Sequence, residues 1–425
     1  MRFSRWSLKL DRRGKEIWEI KVGSNFITLG LMSGTSMDGI DAALLRVSAK
    51  GDELLHHSSL EYPPTLRRRL FSLVREPQVA LEEFGSLHFA VGEAFARAAQ
   101  ACIQSARSKR KLRGDIDVIG SHGQTVFHNP KLHTSIQIAS PQAIVEKTRL
   151  TVVSNFRMAD IAAGGEGAPL LPYYHRRILG KSKSGIAIHN LGGISNFTYF
   201  GPADSLIALD TGPANCWMDL AIESLSAGKL QFDRGGTWAS RGSSSKELLL
   251  WLGKIPEIAA YRAQPAPKST GRELFDAKTL EAALDQAKSL GLSREDILST
   301  LLDFSIELAV EAYHRFVIKP GKPLKRILFT GGGAENPIFL ARFQAALPRV
   351  EVASVASLSR NAATLEAEAF ALFAVQALVG YPQNLPKATG ASRAVICGEI
   401  APGDNWRSLY RKVHSASRQN VSYLR

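Results

Sequence analysis

The chain has 425 residues, with 53 Lys and Arg against 39 Asp and Glu, and 45% of it is hydrophobic. That length exceeds one ordinary core and fits two domains; no apolar run approaches the roughly eighteen residues of a membrane span, and the scattered Cys102, Cys216 and Cys397 exclude a disulfide framework or a clustered zinc site, as in a reducing cytoplasm. The net charge of +14 raises nucleic acid or an anionic membrane as partners, but the basic residues are spread out, so neither is expected.

Residues 1–25 form a basic extension. It contains Asp11, Glu16 and Glu19 and lacks an apolar stretch, so it does not read as a secretory signal. From Phe26 to Val47 the pattern is strand, polar Gly-rich turn, strand. Helical spacing follows at Pro64–Arg75 and Leu81–Ala106. The densest basic run, Arg107 to Arg113, falls at the end of that second helix, where cations complement the helix dipole. Short strands are expected at Ile116–Gly120, Ile136–Ile138 and Leu150–Ser154, with a helix at Pro141–Thr148.

Near Lys181 the pattern restarts. Gly185–Phe200 is again strand, Gly turn, strand, and Ser205–Leu209 is a strand running into Asp210-Thr-Gly-Pro-Ala-Asn215. Helices are expected at Cys216–Leu225, Ser244–Leu252, Asp276–Ser289, Arg294–Val317, Asn336–Ala346 and Ala363–Val379, with a strand at Lys325–Thr330. The tail from Tyr381 is rich in Pro, Gly and Ser and ends in a basic stretch. Two similar hairpins, each opening a mixed α/β half, point to a duplicated architecture with a cleft between the halves.

The polar turns carry the chemistry. In Gly34-Thr35-Ser36-Met37-Asp38-Gly39, nearly every residue is small or polar, as in a loop that brings amides and hydroxyls to a phosphate, with Asp38 able to hold Mg²⁺ through water. It is not a P-loop, because the Gly-Lys-Ser/Thr ending is missing. Gly192, Gly193 and Ser195 can clamp the other side of a triphosphate. Gly331, Gly332 and Gly333 follow a strand and precede a helix whose N-terminus favours anions. Asp210, at a strand end, reads equally as a general base, a Mg²⁺ ligand or a helix N-cap. Arg157 and Asp160 can bind substrate or pair with each other, and Gly164, Gly165 and Gly167 read as a hinge. His122 can bind a polar ligand, and Lys268 and Arg272 suit a phosphate or carboxylate.

In order along the chain stand LMSGTSMDGID, GSHGQTVFHNP, NFRMADIAAGGEGAPL, NLGGISN, LDTGPAN, PKSTGRELF, TGGGAENP and NLPKATGAS. This series resembles the anhydro-N-acetylmuramic acid kinase family. The resemblance implies the sugar kinase, heat-shock and actin superfold: two actin-like (ribonuclease H-like) α/β domains with mixed five-stranded sheets around an interdomain cleft. Domain I would comprise 26–157 plus 376–425, and domain II 158–375. It implies an ATP- and Mg²⁺-dependent kinase that opens the 1,6-anhydro bridge of 1,6-anhydro-N-acetylmuramic acid and phosphorylates O6, a step of peptidoglycan recycling. Asp210 matches the family's catalytic aspartate. Gly34, Thr35, Ser36, Met37, Asp38, Gly39, Ile40 and Asp41 match its ATP loop, with Gly192, Gly193 and Gly331 to Gly333 as further ATP contacts. His122, Arg157 and Glu366 are implied on the sugar side, and a homodimer is implied because members often form one. Three positions depart from the pattern: Asn155 where Asp is common, Glu166 where Gln is common, and Ala214 where Gly is common. Asn155 and Glu166 fall beside the expected sugar site, so substrate choice turns on them. Levoglucosan kinase, similar in fold and mechanism, is the alternative, and a catalytically silent sugar or nucleotide sensor on the same fold is another.

Overall fold

The computed structural model describes residues 25–34, 37–48, 51–76, 78–180, 184–266, 268–271, 273–358, 360–362 and 364–421. The expected calls on residues 1–24, Thr35, Ser36 and Arg272 lie outside them. Twelve strands follow in chain order: β1 (Phe26–Ser33), β2 (Gly39–Ser48), β3 (Gly51–Glu61), β4 (Val118–Asn129), β5 (Thr134–Ile138), β6 (Val152–Ser154), β7 (Ile186–Leu191), β8 (Ile194–Phe200), β9 (Leu206–Pro213), β10 (Arg326–Thr330), β11 (Glu351–Ser354) and β12 (Glu399–Ala401).

They form two mixed sheets. The first runs β12-β6-β4-β1-β2-β3, with β5 paired to β4, and the second runs β11-β10-β7-β8-β9. In the first, β1–β2 and β2–β3 are antiparallel, and β1–β4 and β4–β6 are parallel. In the second, β7–β8 and β8–β9 are antiparallel, and β7–β10 and β10–β11 are parallel. The two hairpins seen in the sequence therefore open sheets of the same order and sense. Five strands are right for the second sheet. The first has seven, because β5 and β12 add antiparallel edges.

The helix Leu365–Val379 lies between the sheets. Eleven of its fifteen residues are buried, so it is apolar all round rather than amphipathic. It packs in one cluster with Phe26 and Val118 of the first sheet and Ile188 and Leu328 of the second. The expected domain boundary between 375 and 376 falls inside it. Its backbone sits so close to β1 and β4 that a Cβ on Gly30 would lie 1.8 Å from the Ala367 carbonyl oxygen, and one on Gly120 would lie 2.0 Å from that of Phe370. Only glycine permits that approach.

Several segments differ from the sequence reading, which also did not expect β11 or the helices Leu171–Leu179 and Pro256–Ala263. β3 is an edge strand whose sequence, GDELLHHSSLE, is too polar to announce itself. β4 continues through Ser121–Asn129 instead of turning after Gly120, because β5 pairs with its second half. The basic tail forms the helix Trp406–Val421. That helix buries Leu409 and sets Lys412 Nζ at 2.7 Å from Asp117. No helix among the described residues is long and apolar enough to cross a membrane.

Gly30→Ala or Gly120→Ala should each destabilise the fold by about 1–3 kcal/mol or more, since backbone has to move to admit the methyl group. Urea unfolding measures this, and an unchanged midpoint would contradict the close helix–sheet contact.

Candidate active site

The loop after β1 is braced from β4. Ser33 Oγ lies 2.7 Å from both the Gly39 carbonyl and Gln124 Oε1, which share its one proton, and Gln124 Nε2 donates to the Gly34 carbonyl at 3.1 Å. This gives the Gln of the GSHGQT motif a structural purpose. Met37 and Ile40 are buried in the core of the first sheet, so of the expected ATP loop they offer only backbone. Asp38 is exposed. Among the described residues no group of three or more His, Cys, Asp or Glu side chains converges on a metal-sized space.

The second and third glycine loops meet. The carbonyls of Gly192 and Gly193 accept from the amides of Asn215, Ala214 and Cys216 at 3.0–3.1 Å, at the start of the helix Asn215–Leu225. Asn215 Nδ2 donates to the Leu191 carbonyl at 3.0 Å. Gly331, at φ +81°, packs where a Cβ would strike Asn190 and Leu191, whereas a Cβ on Gly332 would meet nothing. Gly332 is thus the open position of the three. Two expectations are corrected here. Ser195 is buried, bonded to His189 Nε2 at 2.7 Å and to Thr211 Oγ1 at 2.5 Å, and does not face a triphosphate. The helix Pro337–Ala346 has its first amides, Ile338 and Phe339, taken by Asn336 Oδ1, so its N-terminus is self-capped.

On the first-sheet side, Arg157 Nε donates to His122 Nε2 at 3.1 Å, and His122 Nδ1 bonds the Gly123 carbonyl at 3.0 Å. His122 is buried against Phe370. With both ring nitrogens engaged, it orients Arg157. Burial and the neighbouring Arg157 hold the His122 imidazole neutral. Burial lowers Arg157 to about 10, opposed by Glu366. Burial raises the Glu366 carboxyl, against Arg157, with Asp41 adding. His128, pushed down to about 4 by burial and Arg157, faces the same group. Asp41, bonded by Ser59 Oγ, therefore belongs with Glu366 as well as with the ATP loop.

Asp160 does not pair with Arg157. It is fully buried and accepts from the Gly167 amide at 2.8 Å, Asn384 Nδ2 at 2.5 Å and Thr389 Oγ1 at 2.7 Å. The Gly164–Gly167 turn is thereby pinned to the NLPKATGAS segment and is not a free hinge. The Glu166 amide donates to the Thr389 carbonyl at 2.8 Å, leaving the Glu166 side chain exposed. Asn155, at φ +56°, has its amide taken by Glu399 at 2.6 Å, so that departure is a backbone and surface feature, outside the Arg157 group.

Asp210 lies within β9 and is not a helix cap; the N-cap of the following helix is Ala214. Its Oδ2 accepts from the Thr270 amide at 2.9 Å, its amide donates to the Lys268 carbonyl at 3.0 Å, and its carbonyl accepts from Tyr261 Oη at 2.6 Å. Burial pushes the carboxyl up to about 7; the Thr270 amide opposes this, Glu273 and then Glu166 add to it, and Lys268 opposes it. Such a group is ionised enough to take a proton and basic enough to hold it near neutrality. The structure thus brings Asp210 and Glu166 into one electrostatic neighbourhood. Tyr261 and Thr270 escaped sequence reasoning: one is an ordinary member of a short helix, and the other acts through its backbone.

A carboxyl that titrates near 7 in the native state and near about 3.9 unfolded disfavours folding increasingly as pH rises between those values. Asp210→Asn abolishes that term. Its stability relative to the unmutated protein should grow by at most about 3 kcal/mol between pH 5 and pH 8. Urea unfolding at the two pH values reads it, and an equal difference at both would refute the burial account.

The family profile described as anhydro-N-acetylmuramic acid kinase matches residues 26–403. An anhydro-N-acetylmuramic acid kinase of Picosynechococcus is 39% identical over 387 residues, covering 88% of this chain and 98% of that one. Those of Caldanaerobacter subterraneus subsp. tengcongensis and Vibrio cholerae are 35% and 36% identical, over 88% of this chain and 96% and 97% of theirs. On a profile match over residues 26–403 and relatives of this identity and coverage, the chain belongs to the anhydro-N-acetylmuramic acid kinase family.

Proposed function

We propose that Asp210 is the general base of a kinase that hydrolyses the 1,6-anhydro bridge of 1,6-anhydro-N-acetylmuramic acid and phosphorylates O6 with ATP. The observation that carries this is the Asp210 carboxyl itself, fixed at one oxygen by the Thr270 amide and titrating near 7. Its other oxygen takes a proton from water as that water attacks the anomeric carbon. A new C1–O bond forms and the C1–O bridge bond breaks, its electron pair remaining on O6. O6 attacks the γ-phosphorus, the bond to the β-phosphate oxygen breaks, and ADP leaves. The proton then passes from Asp210 to solvent. One carboxylate suffices because the leaving oxygen of the first step is the nucleophile of the second.

Arg157, oriented by His122, and Glu366 serve the sugar, with Asp41 and His128 beside them. Gly34, Asp38, Gly39, Gly192, Gly193 and Gly332 serve the ATP phosphates. Mg²⁺ neutralises phosphate charge when it enters with ATP. Asp38, exposed on this loop, suits an ion that keeps most of its waters. The shared strand order of the two sheets supports duplicated actin-like domains, divided at 157/158 and near the helix Leu365–Val379. Cytoplasmic residence and a homodimer remain part of this reading, as the family's usual setting.

Coupled ADP release should show turnover of 1,6-anhydro-N-acetylmuramic acid that falls at least about 10³-fold in Asp210→Asn. Turnover of levoglucosan alone would move the substrate while keeping the mechanism, and no turnover of either would leave a sensor. Because the base works only when ionised, kcat/KM should fall about tenfold per pH unit below pH 7. Glu166→Gln removes a negative neighbour, so the acid limb should move to lower pH; an unmoved limb would show that Glu166 does not act on Asp210.

A further inference from the structure

The PKSTGRELF motif has so far entered only through the Thr270 amide, yet together with Tyr261 it holds Asp210 at three points. Asp210 is gripped by the segment Tyr261–Thr270 at its amide, its carbonyl and one carboxyl oxygen. The grip is folded on itself. Lys268 Nζ lies 4.1 Å from the centre of the Tyr261 ring and 3.4 Å from the Tyr261 carbonyl oxygen. Phe275 meets the same ring edge-on at 6.3 Å. The helix that ends this segment's approach, Pro256–Ala263, is tied to the domain core from below. Arg315 donates to the carbonyls of Arg262 and Ala263, and Arg262 Nε donates to Glu311 at 2.9 Å.

We propose that Lys268 and Tyr261 are positioning residues for Asp210: the Lys268 ammonium holds the Tyr261 ring, and the Tyr261 hydroxyl fixes the Asp210 carbonyl. This rests on Asp210 being the base. Neither side chain touches the reacting atoms. A cation over an aromatic face is held by the ring's negative face, and more strongly when water is scarce. The space around Lys268 is a cavity of about 10 Å³ lined also by Thr211, Arg262, Glu311, Arg315 and Phe316, room for little more than one water.

The charges facing the pair come from several elements. Asp210 is faced by Glu273 from its own side, Glu166 from the opposite loop, and Lys268. Lys268 is lowered to about 8 by burial first, then by Arg315; Glu311 opposes, Arg262 adds, and Asp210 opposes. Lys268 is thus the positive member of that set, set against two carboxylates. Removing its charge makes Asp210 harder to ionise.

The test compares pH profiles of ADP release with 1,6-anhydro-N-acetylmuramic acid for the full chain and for Lys268→Met, Lys268→Arg and Tyr261→Phe. Lys268→Met should move the acid limb of kcat/KM upward by about 0.3 pH unit or more, and Lys268→Arg should restore it. Tyr261→Phe should lower kcat about tenfold with both KM values within about twofold, since a loosened base is misaimed without loss of binding. An unmoved limb in Lys268→Met, an arginine variant as impaired as the methionine one, or a rise in KM without loss of kcat in Tyr261→Phe would overturn the proposal while leaving Asp210 as base. An unmutated protein without turnover would overturn both.

Discussion

A carboxyl kept partly out of water, with two further carboxylates near it, is the constraint around which the candidate site is built. Ionising Asp210 costs the fold stability, and that cost is opposed by one amide hydrogen bond from Thr270 and by the Lys268 charge. The Asp210 carboxyl is basic because its surroundings are strained electrostatically. A more comfortable carboxylate, well hydrated or bonded at both oxygens, would ionise readily and accept a proton poorly. The second sheet supplies the rigidity this requires. Behind β9 the chain Tyr313–His189–Ser195–Thr211 is buried and fully hydrogen-bonded, so the strand carrying Asp210 has little freedom to relax away from its neighbours.

The opposite wall works by a different principle. Its polar groups are arranged in relays in which one buried residue braces the next: Gln124 for the Gly34 loop, His122 for Arg157, and Asp160 for the turn that carries Glu166. Motifs that look like binding residues in sequence divide on inspection into those that face outward and those that hold them. Burial is what separates the two. His122 and Asp160 are almost wholly enclosed, while Glu166 and Gly332 are open.

Much of this was legible in the sequence where local pattern and tertiary role agree. The glycine turns, the strand–turn–strand units and helices such as Pro141–Thr148 follow from turn chemistry and spacing, and the order of motifs identified the family. Other features were hidden for physical reasons. β3 is half-exposed along an edge, so it carries no alternating apolar signal. The C-terminal helix did carry one, with Trp406, Leu409, Tyr410 and Val413 at helical spacing, but its basic residues obscured it. The roles of Ser195, Asn155 and Asn336 depend on which neighbour reaches them first, and long-range partners such as Glu399 for Asn155 leave no trace in local sequence. The grip on Asp210 is mostly backbone, so residue type says little about it.

The packing of the helix Leu365–Val379 against Gly30 and Gly120 has a consequence for how the protein is made. The faces of β1 and β4 that those glycines flatten have no cover until residues near 370 have been synthesised, and β6 gains its β12 neighbour only after residue 399. A chain emerging from the ribosome thus completes its second sheet before its first can be sealed. The first-made half of the protein is among the last to close, and until then its bare glycine-lined surface depends on transient protection from aggregation.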